Sequence, residues 1–237
     1  MSFLITIYVR EGIVMASDSR TTFSRKQADK EDAPGQMGIH YSDTTYKTFL
    51  TPNNIGISVC GAADIEGAPI GGYIESFIRE RITEDVTVDQ VPDLLLDHFG
   101  KFEPIPQSQF LVAGYKKDEG KMEQQVWNIR MQGKKKTFVN KNLQGATWAG
   151  EGDVMGRFFT NVYSKKEEEY IKLPGSKVAW GYFTLQDAID FAVYAVRTTI
   201  DTMRFQLRYK TVGGPVDVLV IKPDRAFWAA RKELGVK

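Results

Sequence analysis

Two runs of β-branched and apolar residues open the chain, FLITIYVR (3–10) and IVMAS (13–17), and Glu11-Gly12 between them reads as a tight turn. The pair predicts a hairpin of two buried strands that returns the chain from Ser2, directly behind Met1, to the segment Ser17-Asp18-Ser19-Arg20. A hydroxyl is a weak nucleophile at neutral pH and needs a base within hydrogen-bond reach. Loss of Met1 would let Ser2 supply both groups, because a freed α-amine titrates near pH ~8 and is partly neutral in a cell. Taken alone, a serine at position 2 reads first as a small residue after a start codon, and the downstream residues are what change that.

The rest of the chain repeats the strand theme and interrupts it with helices. Residues 21–44 are polar and aperiodic and predict a long loop, a length usually reserved for functional or mobile segments. YKTFL (46–50) and IGISVCG (55–61) flank a Pro52-Asn53-Asn54 turn and predict a second hairpin. Apolar residues three to four apart then predict a helix over 62–82, with Pro69 and Gly71-Gly72 disturbing its first turns. A second helix is predicted over 87–102, with Thr87 as N-cap and Gly100 near its end. Strands follow at 109–115, 122–131, 137–140 and 146–152, then a weak helix at 154–163. The strongest helical pattern covers 184–205, where Ala188, Phe191, Ala192, Ala195, Val196, Thr199, Ile200 and Met203 share a face. VDVLVI (216–221) closes a sheet, and 225–234 predicts a terminal helix. Strands from both halves with grouped helices between them predict an α+β fold: a four-layer αββα sandwich of two stacked antiparallel sheets, built as one domain over 1–237.

Composition narrows the function classes. Thirty-one basic against thirty acidic residues leave a net charge of +1, with no overall electrostatic footprint for nucleic acid or an anionic membrane. Cys60 is the only cysteine, which excludes an intrachain disulfide framework and permits a reducing compartment. No leader-like segment and no apolar run of about 18 residues occurs, so the expectation is a soluble, cytoplasmic protein without membrane contact. His40 and His98, with Cys60, have no zinc-type spacing, and a Ser-His-Asp set would need His40 to find partners from a loop. Neither phosphate-binding glycine motif is present, so no cofactor or metal is expected. The run Lys134-Lys135-Lys136 reads as a solvated hairpin tip, and KKEEE (165–169) as a charged loop or helix end.

The order strand, hairpin, SDSR, long loop, YK-x-F, hairpin, small-residue turn and helix resembles the proteasome-type N-terminal nucleophile hydrolases, the proteasome β-subunits and their simpler bacterial relatives. The resemblance spans nearly the whole chain. It is carried by the spacing from Ser2 through Glu11-Gly12 to Asp18 and Arg20, then to Lys47 and SVCGAAD (58–64), with a Gly-Gly ahead of VDVLVI. It implies that Ser2, made N-terminal by processing, attacks an amide carbonyl, that Asp18 and Lys47 organise the site, and that the Gly61 N–H receives the oxyanion. It also implies a peptide or protein substrate and a ring-like homo-oligomer, with an ATPase unfoldase as an unproven partner. Gly71-Gly72 on the 62–82 helix offers a place for close approach of a neighbouring copy.

The residues support these roles on their own chemistry. Lys47 falls on a strand expected to be buried, where an unpaired ammonium costs several kcal/mol, so it requires a carboxylate, and Asp18 is the obvious one. A cation near Ser2 would favour its alkoxide and lower the pKa of the neighbouring α-ammonium. Gly61 has no side chain to block a substrate carbonyl from its N–H. The chain departs from the resemblance at three places. The nucleophile is Ser rather than Thr, and Gly150-Glu151-Gly152 stands where a supporting Ser is common. Met203 stands where an Asp-x-x-Ser would end, with Asp201 two residues before it. Glu151 is held as a candidate substitute and Asp201 is left out of the site. A non-catalytic scaffold or assembly subunit of the same fold is the alternative reading, and the Asp18 and Lys47 pairing favours the enzyme.

Overall fold

The computed structural model describes residues 2–24, 39–141 and 143–235. In chain order the strands are β1 (Phe3–Val9), β2 (Gly12–Ser17), β3 (Thr21–Ser24), β4 (Ile39–Ser42), β5 (Thr48–Leu50), β6 (Gly56–Cys60), β7 (Asp64–Ile65) and β8 (Ala68–Pro69). Helices α1 (Ile70–Arg81) and α2 (Val91–Phe99) come next, then β9 (Gln109–Asp118), β10 (Lys121–Arg130), β11 (Lys135–Phe138), β12 (Gly145–Gly150) and α3 (Asp153–Phe159). The hairpin strands β13 (Tyr163–Lys166) and β14 (Glu169–Lys172), helix α4 (Leu185–Arg204), β15 (Asp217–Ile221) and β16 (Ala226–Ala230) complete the order. Two five-stranded sheets result, β12-β1-β2-β15-β16 and β11-β10-β9-β6-β5, and their pairings are antiparallel.

Strands β1 and β2 are buried along their whole length, because both of their faces meet apolar partners. Phe3, Ile5, Ile7, Val14 and Ala16 pack with Ala188, Ala192, Ala195 and Val196 of α4. The alternate residues Leu4, Tyr8, Ile13 and Met15 pack with Leu111, Ala113 and Val126 of the other sheet. The period of two therefore places successive side chains in two different cores. A third core joins Ile74 and Phe77 of α1 and Leu95 and Phe99 of α2 to Ile57, Phe110 and Val112. Truncating any of these large side chains to Ala would cost about 2–5 kcal/mol.

Helix α4 begins where predicted. Thr184 and Asp187 form a reciprocal capping box, and Glu11 from the first hairpin turn accepts the Leu185 N–H at 3.0 Å. Its predicted face is the one that is buried, with Phe191 and Ile200 at the margin.

Several boundaries differ from the sequence reading. The 62–82 helix is shortened to α1, because Glu66 and Gly67 take positive φ in a β7–β8 turn and Pro69 starts the helix. The 87–102 helix is shortened to α2; Thr87 does not cap it, since its N–H and hydroxyl turn to the Gln90 side chain and Gln90 occupies the N-cap. The weak helix ends at Phe159, and 165–169 belongs to the β13–β14 hairpin. Lys134 lies in a 3-10 turn and Lys135-Lys136 in β11. The segment 225–234 carries strand β16 and no helix, because its backbone completes the edge ladder of β15. The ends of the 21–44 loop pair as β3 and β4; residues 25–38 lie outside the described residues.

Candidate functional site

The register of the first hairpin builds the site. Leu4 faces Ser17, so the next position beyond the ladder sets Asp18 beside Phe3. The Asp18 N–H donates to the Phe3 carbonyl at 3.4 Å, and the Phe3 N–H donates to Asp18 Oδ1 at 3.0 Å. The carboxylate thereby lies directly under the Ser2–Phe3 backbone. Lys47 arrives from the second sheet, where its carbonyl accepts the Val59 N–H at 2.8 Å just ahead of the β5–β6 ladder. Its Nζ donates to Asp18 Oδ1 at 2.8 Å and to the Arg20 carbonyl. Asp18 is 0% and Lys47 3% exposed, so the pair bridges the two sheets out of contact with water.

Asp18 Oδ2 accepts two further backbone N–H groups, from Arg20 at 3.1 Å and Gly213 at 3.0 Å. The Gly213-Gly214 turn ahead of β15 thus clamps SDSR. The Ser19 N–H donates to the Gly213 carbonyl, and the Ser19 hydroxyl to the Pro215 carbonyl. Arg20 holds Asp43 through two bonds at 2.6 and 2.7 Å and lies over the Tyr41 ring. These residues are structural supports of the Asp18 carboxylate.

Ser2 is 7% exposed and is fixed from its other side by the Glu151 N–H, which donates to its carbonyl at 2.8 Å. Gly150 makes that approach possible. Its φ is +85°, and a Cβ there would lie 1.9 Å from the Ser2 oxygen. The Glu151 carboxylate itself accepts the Thr211 hydroxyl at 3.0 Å and lies 3.6 Å from Arg208, a support of the 208–211 segment. Asp201 is exposed on α4.

Ser2, Lys47 and Gly61 line one narrow cleft together with Thr21, Thr22 and Cys60, and Asp18 stands behind it. The cleft holds about 20 Å³, enough for roughly one water. Gly61 is exposed with φ +110°, and a Cβ would meet the Gln107 carbonyl oxygen at 2.0 Å. The fold itself demands glycine there. Burial pushes the Lys47 ammonium below its ordinary lysine value, an effect that Asp18 opposes. Burial also pushes the Cys60 thiol up to about 12, which leaves it a poor nucleophile.

Sequence reasoning missed a second buried ion pair. Lys232, past β16, donates from both its backbone N–H and its ammonium to Asp217, which is 0% exposed. The Lys232 ammonium lies 4.4 Å from the centre of the Tyr46 ring, and the Tyr46 hydroxyl donates to the Lys232 carbonyl. Tyr46 precedes Lys47, and Asp217 faces Ser17 across the ladder. Each member of the Asp18–Lys47 pair therefore has its neighbour gripped by this second pair. The one local signal was an acid opening a strand that is otherwise apolar, at Asp217. Among the described residues no group of three or more His, Cys, Asp or Glu converges as metal ligands would.

No protein-family model matches the chain, and no curated protein matches its sequence. Solved structures do match its fold. Anbu from Hyphomicrobium sp. strain MC1 superposes with a TM-score of 0.58 at 14% identity, over 98% of this chain and 88% of that one. A mutant of the same protein gives 0.59 at 14%, over 96% and 87%. Anbu from Yersinia bercovieri, described as an ancestral β-subunit, gives 0.58 at 16%, over 98% and 88%. At these identities the likeness shows the fold alone: this chain's mixed α/β architecture, antiparallel sheets with four helices among the described residues, is similar to the fold of Anbu. Among the described residues no helix is long and apolar enough to cross a membrane.

Proposed function

We propose that the chain is a proteasome-like amide hydrolase, a single αββα domain acting on peptide or protein substrates with Ser2 as nucleophile. The observation that carries this reading is the Asp18–Lys47 pair, buried between the sheets beneath Ser2, with Lys47 lining the same cleft as Gly61. A buried ion pair is weak as a device of stability, since well-packed apolar residues often do as well. Its place under the N-terminal residue suits a charge kept for chemistry.

After Met1 is removed, Ser2 Oγ attacks the amide carbonyl carbon while the α-amine, directly or through one water, takes the hydroxyl proton. Lys47, anchored by Asp18, keeps the local potential positive, and the Gly61 N–H receives the oxyanion. Collapse breaks the C–N bond, the α-ammonium returns its proton to the leaving amine, and an ester on Ser2 remains. The same amine then activates water, which releases the acid. The cleft of about 20 Å³ is the observation that favours the second reading, a non-catalytic scaffold or assembly subunit, because a peptide enters only if it widens.

The proposal extends to a cytoplasmic homo-oligomer, ring-like in arrangement, with an ATPase unfoldase as an open question of partnership. Gly71-Gly72 of α1 stays a proposed point of contact, since Gly72 is exposed, and a second region joins it. Phe158, Tyr163, Tyr170, Tyr182, Phe205 and Leu207 leave large apolar area exposed around α3, the β13–β14 hairpin and the end of α4.

The test uses the Met1-free protein and an electrophile that closes a ring with a hydroxyl and an amine on one residue. An adduct on Ser2, with amide hydrolysis that Ser2→Ala abolishes, supports the assignment. Hydrolysis that survives Ser2→Ala, or an adduct on Cys60 alone, overturns it.

A further inference from the structure

A second cavity, of about 260 Å³, abuts the Ser2 cleft. It shares Cys60 and Gly61 with that cleft and extends to Gly150, Ser108, Arg130 and Gln132. The remaining wall is Gln107 and Gln109, so no carboxylate lines it, and Arg130 is the one ionised group among its lining residues. Its volume is severalfold the roughly 30 Å³ of one water, which leaves room for a side chain or a chain end.

Three observations give this cavity a charge and a ligand chemistry. Arg130 closes the β10–β11 ladder directly opposite Lys135, and residues so paired share a face at a Cβ separation of about 5 Å. Two cations facing each other there repel, yet among the described residues neither side chain has a partner. Of the lysines beside them in sequence, Lys136 is neutralised by Asp93 at 2.5 Å, while Lys134 has no ion pair among the described residues. The cavity edge is therefore a local positive field left without its counter-charge. Finally, Ser108 is 5% exposed and its hydroxyl has no hydrogen-bond partner. Its backbone is pinned, accepting the Met131 N–H at 3.0 Å and donating to the Pro106 carbonyl at 2.7 Å. Buried hydroxyls of fixed position normally find an acceptor or donor, and here the missing one would come from a ligand.

We infer that this cavity is a subsite for a carboxylate carried by the substrate, held by Arg130 with Lys135 behind it and by the Ser108 hydroxyl, immediately beside the bond presented at Gly61. The carboxylate comes from an Asp or Glu side chain or from the C-terminus of a short peptide. A guanidinium suits it because its planar fork binds a carboxylate through two parallel bonds. The inference rests on Ser2 being the nucleophile, and it adds a preference for acidic peptides.

The experiment has a turnover arm and a binding arm. Quenched fluorescent peptides carrying Glu, Gln or Lys at each position flanking the cleaved bond, with free or amidated C-termini, are presented to the Met1-free protein. At one position Glu should exceed Gln in kcat/KM by roughly tenfold, or a free terminus should exceed an amidated one, and which pair differs identifies the source of the carboxylate. Arg130→Gln should bring that ratio to about one, Arg130→Glu should turn it toward Lys, and Lys166→Gln on the distant hairpin should keep it. In the binding arm the same peptides are titrated by anisotropy against Ser2→Ala, with and without Arg130→Gln. Acidic preference in binding that depends on Arg130, without turnover by the Ser2 protein, upholds the subsite and overturns the hydrolase reading. Turnover with equal rates for Glu and Gln, free and amidated termini, and no response to Arg130→Gln, overturns the subsite alone. Arg130→Lys keeps the test decisive should the other variants fold poorly.

Discussion

Replacing Lys47 by Met removes one partner of a pair that has no water to fall back on. Breaking a buried pair from one side costs about 3–5 kcal/mol, because the other charge stays behind uncompensated. Here the Asp18 carboxylate keeps three backbone donors, from Phe3, Arg20 and Gly213 at 3.0–3.1 Å, and these place Lys47→Met near the lower end, about 3 kcal/mol. For a chain of 237 residues that corresponds to a melting temperature lower by roughly 6–12 °C. Asp18→Ala is the harsher change. It orphans those three N–H groups at about 1–3 kcal/mol each and leaves the ammonium buried, a sum that reaches the whole stability of an ordinary domain. It should fail to fold. Urea melts followed by tryptophan fluorescence measure the difference. The alkaline limb adds a sign. Burial holds Lys47 below its ordinary value of 10.5, so between that lowered value and 10.5 the unfolded chain binds a proton that the folded chain has released, whereas at neutral pH both hold it. Unfolding free energy then rises with pH, and the advantage of wild type over Lys47→Met should widen across that window. A Lys47→Met protein within 0.5 kcal/mol of wild type, or a gap that narrows with pH, would refute the reasoning.

Native protein at pH 8 should leave Cys60 untouched by a thiol reagent and yield one reactive thiol per chain only after denaturation, since burial raises that thiol to about 12; prompt stoichiometric labelling of the folded chain contradicts this. Gly150→Ala should cost about 2 kcal/mol or more in a thermal melt and disturb Ser2, because its Cβ would lie 1.9 Å from the Ser2 oxygen at a φ of +85°; a neutral substitution would mean that the turn relaxes freely. Light scattering should report particles well above the 26.8 kDa chain, and Phe205→Asp with Leu207→Asp should lower their mass; a single 26.8 kDa species at all concentrations removes the assembly.

The sheet content and the Asp18–Lys47 contact were legible because each follows from local chemistry. FLITIYV and GIVMAS are apolar at every position but one, so both faces had to be covered. A lysine in TTYKTFL beside such strands needed an acid, and the hairpin register delivered Asp18. Element ends were less legible. Gly67 and Pro69 cut the apolar periodicity of 62–82 by backbone geometry that an apolar count ignores. In 225–234, Ala, Arg, Lys and Glu favour a helix by propensity, yet β15 offers an open edge, and Ala226 and Trp228 pack against the core between the sheets. Tertiary pairing overrode propensity there.

The Asp217–Lys232 pair was the hardest feature to read, and the reason is instructive about the site as a whole. Fifteen residues and a strand reversal separate its members, and neither sits in a pattern that demands the other. Its physical effect nonetheless falls on the residues that were legible. Two lysines are drawn into one buried region. The Lys232 charge adds to the desolvation that lowers Lys47's hold on its proton, while the Asp18 charge acts on Lys232 in the opposite sense. Each cation has its own carboxylate, 2.8 Å away for Lys47, so the arrangement stays near neutral. A device for stability alone would gain little from such a cluster over apolar packing. The second pair grips Tyr46 and, through Asp217, faces Ser17, the sequence neighbours of Lys47 and Asp18, so in the hydrolase proposed above its part is to steady that first pair through the backbone.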